Sequence, residues 1–413
     1  MKRFLLSVAA LPLVIGGLSL NASADDGINI LSNFKFNGEI RPRYEYADVA
    51  DNSKDAAHAL TARTTLGVGA DMFQISGLSS YLEVSAVTNF GYTDYNDGSS
   101  TGNAKYDKIV DPQQARMTQA YIDYKLGKTL IRAGRQDVNI DNQRFVGTVD
   151  WRQMKQTFDA IAVVDNTIEN LSLLGAYVYG YIGVGTATES TDTKSVLLHA
   201  TYKVNNALNV TAYDYLLASI SDTYGAALTG NVDVNMAKLD YRAEYAKQKD
   251  PSLEYQIKNV KADSQYYNLD LGANISGILA GLNYEFLGGS NGTDGKTAFQ
   301  TPLGTKHAFN GWADVFLAST PTGGLIDKNI RIGYQDKVYG KLLGVYHQFN
   351  TDKDMGGESD LGTEFDAMYT NKVPGIKNLT GMVKYADYMH GKVVSGTSYN
   401  DKKVAWLMLD YKF

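Results

Sequence analysis

Residues 34–46 read FKFNGEIRPRYEY, and this stretch decides the fold. Every second residue from Phe34 to Tyr46 is apolar, aromatic, glycine or proline, and the residues between them are charged or polar. A side-chain period of two is that of a β-strand whose two faces meet different surroundings. The rest of the sequence decides whether the apolar face meets a protein core or lipid.

The same alternation recurs to the end of the chain, as in residues 236–247, 266–274, 361–370 and 404–413. The connections alternate between short turns and long loops, such as 91–115, 137–157 and 288–327. Short turns on one rim and long loops on the other are typical of outer-membrane barrels. We therefore predict an all-β fold, a transmembrane antiparallel β-barrel of about 18 strands with short periplasmic turns and long extracellular loops.

A soluble β-sandwich would also alternate, but it rarely needs so many successive hairpins. In a membrane barrel the apolar faces meet lipid, and the polar faces line a wet lumen that can hold many charges. Such a barrel must close, because an open strand edge in hydrocarbon leaves backbone amides unpaired. The predicted place of the protein is therefore the outer membrane, in contact with its lipid and lipopolysaccharide.

Both ends of the chain carry export and assembly signals. Residues 1–24 have a basic start, an apolar run and a small-residue cleavage site at Ala22–Ala24, which predicts a signal peptide followed by one barrel domain at residues 25–413. A membrane-anchor helix is the alternative. The terminal Phe413 resembles the signal by which the barrel assembly machinery recognises its substrates; a chance apolar terminus is the other interpretation.

Composition limits the chemistry. The chain has no Cys and a net charge of −6, which becomes −8 without Lys2 and Arg3, so nucleic acid is not an expected partner. The five His residues are scattered without metal-ligand spacing, and no nucleophile motif is evident. We expect no cofactor, metal or enzymatic activity. Residues 350–358 alternate acidic oxygens like a calcium loop, but their Gly is misplaced for one, and a solvated loop is favoured.

Arginines are concentrated in the first part of the chain. The alternation points Arg41, Arg43, Arg63 and Arg132 inward, whereas Arg135 has an ambiguous phase and is a candidate for a rim position. In a barrel of about 18 strands this basic wall would face Asp240, Arg242, Glu244 and Asp270. The predicted result is a transverse field that draws anions along the basic side. Alternatively, these charges only pair with one another and keep the lumen wet.

Residues 134–160 carry the series Gly134-Arg135-Gln136, Gln143-Arg144 with Gly147, Asp150-Trp151 and Thr157-Phe158-Asp159. This series resembles that of the outer-membrane alginate-export family of porins. The resemblance implies an eighteen-stranded barrel and, in members that export alginate, a basic path for an anionic polysaccharide. It makes Arg135, Arg144 and Arg152 candidate pore residues, with Asp150 as their ion-pair partner.

Loop 288–327 is too long to be a plain connector. It either folds into the lumen as a constriction or packs as a cap on the outer rim. The sequence as a whole predicts a porin for passive diffusion of small hydrophilic, anionic solutes. An exporter of an alginate-like acidic polysaccharide and a structural or adhesive barrel with a closed lumen are the alternatives.

Overall fold

The computed structural model describes residues 29–185, 189–254, 261–290, 295–392 and 399–413. The signal peptide predicted at residues 1–24 lies outside these ranges. No helix among the described residues is long and apolar enough to cross a membrane. The strands are β1 (Leu31–Val49), β2 (Ala57–Met72), β3 (Leu78–Thr88), β4 (Gln114–Leu126), β5 (Thr129–Gln136), β6 (Thr157–Asp165), β7 (Leu171–Ile182), β8 (Thr191–Asn205), β9 (Leu208–Leu217), β10 (Ser221–Val234), β11 (Ala237–Lys249), β12 (Lys261–Ile275), β13 (Ile278–Leu287), β14 (Lys296–Thr297), β15 (Leu325–Asp336), β16 (Gly340–Met355), β17 (Glu358–Lys372), β18 (Leu379–His390) and β19 (Lys402–Lys412).

Eighteen of these strands form one closed antiparallel barrel, and the two-residue β14 lies in a loop. The barrel closes where β1 pairs with β19 on one side and with β2 on the other. At this seam the Gly38 N–H donates to the Phe413 carbonyl at 2.8 Å, and the Phe413 N–H donates back at 3.0 Å. The predicted fold class, an all-β barrel of 18 antiparallel strands, is confirmed.

The opening stretch has the two faces that its period requires. Phe36 and Ile40 are 59% and 43% exposed on the outside, whereas Arg41 and Arg43 are 4% and 1% exposed on the inside. Exposed Leu, Ile, Val and Tyr side chains are frequent on the strands, and buried charged side chains lie on their opposite faces. This order, apolar outside and polar inside, is that of a membrane barrel with a polar interior.

The two rims differ in the length of their connections, and the rim with long loops is extracellular by the rule for such barrels. One extracellular connection is shorter than predicted, because only the Gly356-Gly357 tip joins β16 to β17. Most of the calcium-like stretch therefore belongs to a β-hairpin and not to a loop. On the other rim, β10 continues to Val234 and the chain turns at 235–236.

Candidate functional site: a constriction built from two inserted loops

Loop 137–156, between β5 and β6, crosses the barrel lumen. On the β1 side the Arg41 guanidinium donates to the carbonyls of Asp150 and Arg152 at 2.9 and 2.6 Å. On the β13 side Arg144 donates to both carboxylate oxygens of Glu285 at 2.7 and 3.0 Å. Because β1 and β13 lie far apart around the barrel, one loop bound to both must span the interior.

Loop 288–324, between β13 and β15, packs against the first loop inside the lumen. The Gly147 N–H donates to the Leu303 carbonyl at 3.0 Å, which joins the two backbones. Arg152 donates to Asp314 at 2.9 Å, and Arg144 donates to Asn310 at 2.7 Å. The structure thus places the described part of this loop inside the barrel as a constriction, and not on the rim as a cap.

The tip of loop 288–324 is fixed to β17 by two carboxylates. The Ala313 N–H donates to Glu364 at 2.7 Å, and the Trp312 N–H donates to Asp366 at 3.2 Å. Gly311 has a φ of +84°, and a Cβ there would lie 2.3 Å from the Glu364 carboxylate. This position therefore needs glycine both for its backbone conformation and for the close approach of Glu364.

The three tryptophans of the chain surround one buried lysine. Lys384, on β18, is 5% exposed. Its Nζ lies 3.8 Å from the ring centre of Trp312, 4.3 Å from that of Trp151 and 5.4 Å from that of Trp406. An ammonium group held against several aromatic faces is stabilised by cation–π attraction. This cluster ties both inserted loops to β18 and β19.

His307 links the lysine cluster to the ion pairs of the constriction. Its Nδ1 lies 3.0 Å from Asp314, and its Nε2 lies 2.7 Å from Lys384 Nζ. Since an ammonium can only donate, Nε2 accepts, and the proton of the neutral ring sits on Nδ1 and is donated to Asp314. Burial lowers the pKa of His307 to about 3, and the Lys384 cation acts in the same direction. The ring therefore stays neutral at ordinary pH.

Three of the cavities that border the inserted loops differ in their linings. The outer cavity, about 230 Å³, lies among the extracellular loops and is lined by Trp151, Pro302, Lys306 and Leu317 among others. The β1 cavity, about 480 Å³, is lined by the periplasmic part of β1 together with Arg63 and loop 137–156. The β12 cavity, about 350 Å³, is lined by β11, β12, β13, β15 and β16, by Asn142 and by residues 308–310 and 312. Residues 149–152 separate the outer cavity from the β1 cavity.

Residues 83–257 match the family model described as Alginate export. The resemblance inferred from the sequence is confirmed. Crystal structures of low sequence identity share the fold. Pseudomonas aeruginosa OccK9 (OpdG) is 15% identical, with a TM-score of 0.73 over 93% of this chain and 99% of that chain. P. aeruginosa OpdK with vanillate is 14% identical, with a TM-score of 0.73 over 93% of this chain and 100% of that chain, and Acinetobacter baumannii OccAB2 is 15% identical, with a TM-score of 0.72 over 93% of this chain and 98% of that chain. The comparison with curated proteins gave no match.

The chain thus has the fold of outer-membrane porins, and residues 83–257 are similar to the alginate-export family. The matched family model and the structures of similar fold are those of outer-membrane barrels. Among the described residues there is no group of three or more His, Asp or Glu side chains arranged to hold a metal ion.

The porin's first arginines do not form the open basic wall that the sequence suggested. Arg43 donates to the Trp151 carbonyl at 2.6 Å and pairs with Asp111. Arg63 pairs with Asp150 at 2.6 Å and with Glu39. These side chains point inward as predicted, but the loop covers them and their charges are paired. They act as anchors for the constriction, which is closer to the alternative in which the charges pair with one another.

The remaining inward charges are also mostly paired. Arg132 makes two 2.7 Å bonds to Asp123 on the neighbouring strand. Across the lumen Arg242 pairs with Glu244 at 2.7 Å, and Asp270 pairs with Arg331 at 2.7 Å. Asp240 differs, because no hydrogen bond or ion pair of its carboxylate is found among the described residues. The wall predicted to be acidic is therefore present, but only part of its charge is free.

Arg135, in the Gly-Arg-Gln part of the family motif, is the clear correction. Its neighbours two and four positions back, Ala133 and Ile131, are exposed on the lipid side, and the regular register of β5 with β4 and β6 puts Arg135 on that same outer face. It makes bonds of 2.8 and 3.0 Å to Asp159, from the Thr-Phe-Asp part. These two motif residues form an ion pair that joins β5 to β6 on the outer face, and they do not line the pore.

Sequence reasoning missed Glu285, Lys306 and Lys384, whereas the alternation of residues 361–370 placed Glu364 on the inner face. Glu285 and Lys384 also lie on the polar side of alternating strands, so their inward direction was readable. Lys306 lies in a loop without periodicity, and its position was not readable. The alternation of a strand gives the direction of a side chain, but it does not show which inward residues contact an inserted loop.

Proposed function

We propose that this porin passes small hydrophilic solutes by passive diffusion and that it favours small organic anions. The observation that carries the proposal is Lys306 in the outer cavity. Its Nζ donates to the carbonyls of Leu317 and Ala318 at 2.7 and 3.3 Å, and within the described ranges it forms no ion pair with a carboxylate. It is a cation available to a solute on the extracellular side of the constriction.

The rest of the outer cavity suits an anion with an apolar body. Trp151, Pro302 and Leu317 supply apolar surface next to Lys306. Small-molecule sites commonly combine such surface with a few placed polar groups. The OpdK structure of similar fold was solved with vanillate, an aromatic carboxylate, which makes vanillate a suitable probe for this chain.

Export of an acidic polysaccharide is less well supported. The two inserted loops meet backbone to backbone inside the lumen, which leaves separate cavities where a polymer would need a broad path. The β1 cavity also has more carboxylates than cations. Its anionic residues are Glu39, Glu83, Asp137 and Asp150, against Arg63, Lys155 and Lys412. A polyanion would be repelled along this wall.

Ion selectivity in planar bilayers tests the proposal against both alternatives. In a salt gradient the wild type should show a reversal potential of anion-preferring sign, and Lys306→Gln should reduce it. Arg135→Gln is the control, because that side chain faces outward, and it should behave as wild type. A cation preference, or an unchanged preference in Lys306→Gln, would contradict the proposal. A complete lack of conductance would favour the closed structural barrel.

We further propose, as the sequence suggests, that the barrel assembly machinery recognises Phe413. The residue is 52% exposed and pairs with Gly38 at the seam. A Cβ on Gly38 would lie 2.5 Å from the Phe413 ring, so the ring fills the space above that glycine. Phe413→Ala should lower the amount of folded barrel in outer membranes, measured as the heat-modifiable band on gels. An unchanged amount would contradict this role.

A further inference from the structure

The β12 cavity has a lining unlike that of the outer cavity. The register across β11, β12, β13 and β15 places its inward residues in lateral rows. One row contains Asn268 and Glu285, the next contains Asp270, Asn283 and Asn329, and neighbours within a row lie about 5 Å apart. Carboxamides and carboxylates therefore form a dense grid of hydrogen-bonding groups on one wall.

Two amides of this grid are buried and incompletely bonded. Asn268 is 4% exposed and lines the cavity, and its side-chain amide makes no hydrogen bond to any described residue. Asn329 is 9% exposed, and its Oδ1 is buried without a partner. Buried polar groups are nearly always satisfied by protein, water or ligand. Unused bonding capacity beside a cavity therefore marks a place where a polar molecule binds.

Two glycines, Gly272 and Gly281, lie on the same wall of the cavity, and their lack of a side chain makes room for neighbouring side chains. A Cβ on Gly272 would lie 2.4 Å from the Asp240 carboxylate, and one on Gly281 would lie 2.8 Å from the Arg331 guanidinium. The side chains of Asp240 and Arg331 thus lie over glycines, close to the wall. On the loop side the cavity is bordered by the half-buried rings of Phe309 and Trp312. The site combines a polar wall with aromatic faces.

We propose that the β12 cavity is a binding subsite for an uncharged polyhydroxylated solute, a sugar of one ring. Amides and carboxylates can donate to and accept from hydroxyl groups, and aromatic rings can cover the C–H face of a sugar. The cavity's arginines are already paired with carboxylates, and the Asp240 carboxylate has no ion-pair partner among the residues that the structure describes. An anion is therefore disfavoured here, whereas a carboxylate that accepts from hydroxyls suits a sugar.

This subsite is separate from the anion preference proposed for Lys306. It lies on the periplasmic side of the inserted loops, and Lys306 is not part of its lining. The two proposals can therefore fail independently.

Glucose block of single-channel current tests the subsite. D-glucose on the periplasmic side should reduce the wild-type current in a saturable way, independently of the sign of the voltage. Asn268→Leu should bind glucose about fivefold to tenfold more weakly, as expected for lost hydrogen bonds to a neutral ligand. Asn37→Leu, in the β1 cavity, is the matched control and should retain the wild-type block. Asn329→Leu serves as a second variant if Asn268→Leu gives no channels.

Three results would overturn the subsite. Glucose could fail to block the wild type, or block it without saturation. Both amide variants could bind glucose as the wild type does. An alkylamine could block where glucose does not, which would identify a cation site at Asp240. In each case the conductance without sugar and the reversal potential of Lys306→Gln still report separately on the porin function.

Discussion

At the residue scale, buried arginines fix the constriction by binding loop carbonyls and carboxylates. A guanidinium offers five donors in a planar fork, so Arg41 can hold two backbone carbonyls while Arg144 holds both oxygens of Glu285. Each of these groups would be costly to bury alone. The loop and the barrel wall therefore satisfy each other, and removal of either partner leaves a buried charge.

Removing Arg144 should destabilise the constriction strongly. Arg144→Met leaves Glu285, which is 1% exposed, without its cation, and the free energy of unfolding should fall by about 3–5 kcal/mol. Urea unfolding in phospholipid vesicles measures this change. The double variant Arg144→Met/Glu285→Met should recover much of the loss. Arg132→Met is the control, because its pair with Asp123 is partly exposed and touches no inserted loop; a cost as large there would contradict the account.

Anion preference should depend on pH through Lys306. Burial, aided by the Arg144 charge, lowers the pKa of Lys306 to about 8. The side chain is therefore charged below that pH and becomes neutral as the pH rises through about 8. The reversal potential should show full anion preference at about pH 6. At about pH 9.5 it should approach the reversal potential of the Lys306→Gln variant. A preference that stays constant over this range would exclude Lys306 as its source.

The direction of a strand side chain could be predicted from the sequence, whereas its partners could not. The strand period placed Arg41, Arg63 and Asp270 on the inner face correctly, because alternation is a local property. The partners of these residues are distant in sequence; Arg144 and Glu285 are 141 positions apart. For Arg135 the alternation left the side-chain direction ambiguous, and the family resemblance pointed to the pore. Its lipid-side position became readable only once Asp159 was seen beside it.

At the element scale, the inserted loops are held by backbone contacts as well as by charges. The tip of loop 288–324 donates its N–H groups to the β17 carboxylates, and the β16–β17 hairpin contacts the base of the loop, where the Gly289 N–H donates to Asp352 at 3.0 Å. A loop bound at its tip and its base is held in a defined position inside the lumen. Its length was readable from the sequence, whereas its inward fold depends on these long-range contacts.

Gly311 and Gly295 provide a matched test of the loop tip. Both have positive φ, +84° and +70°, but a Cβ at Gly311 meets Glu364, whereas one at Gly295 meets nothing within 4 Å. Gly311→Ala should displace the tip and change the single-channel conductance, while Gly295→Ala should leave it as in wild type. Equal conductance in both variants would show that the tip does not shape the pore.

At the scale of the whole molecule, different interactions determine the closed barrel and the two loops that lie inside it. Closure between β1 and β19 satisfies every strand edge toward lipid, and this follows directly from the alternating sequence. Conduction depends on how much of the lumen the two loops leave open. The cavities on either side of residues 149–152 differ in charge and lining, so a solute meets an apolar, cationic chamber first and carboxylate-rich chambers afterwards.

The single-channel conductance after removal of the loop tip is the most direct test of the constriction. Replacing residues 303–313 with a short Gly-Ser linker should raise the conductance severalfold and weaken ion selectivity, because the constriction is lost. A similar replacement of residues 97–102, in the extracellular loop between β3 and β4, should leave the conductance unchanged. Wild-type conductance after removal of residues 303–313 would contradict the claim that the inserted loops form the constriction of this porin.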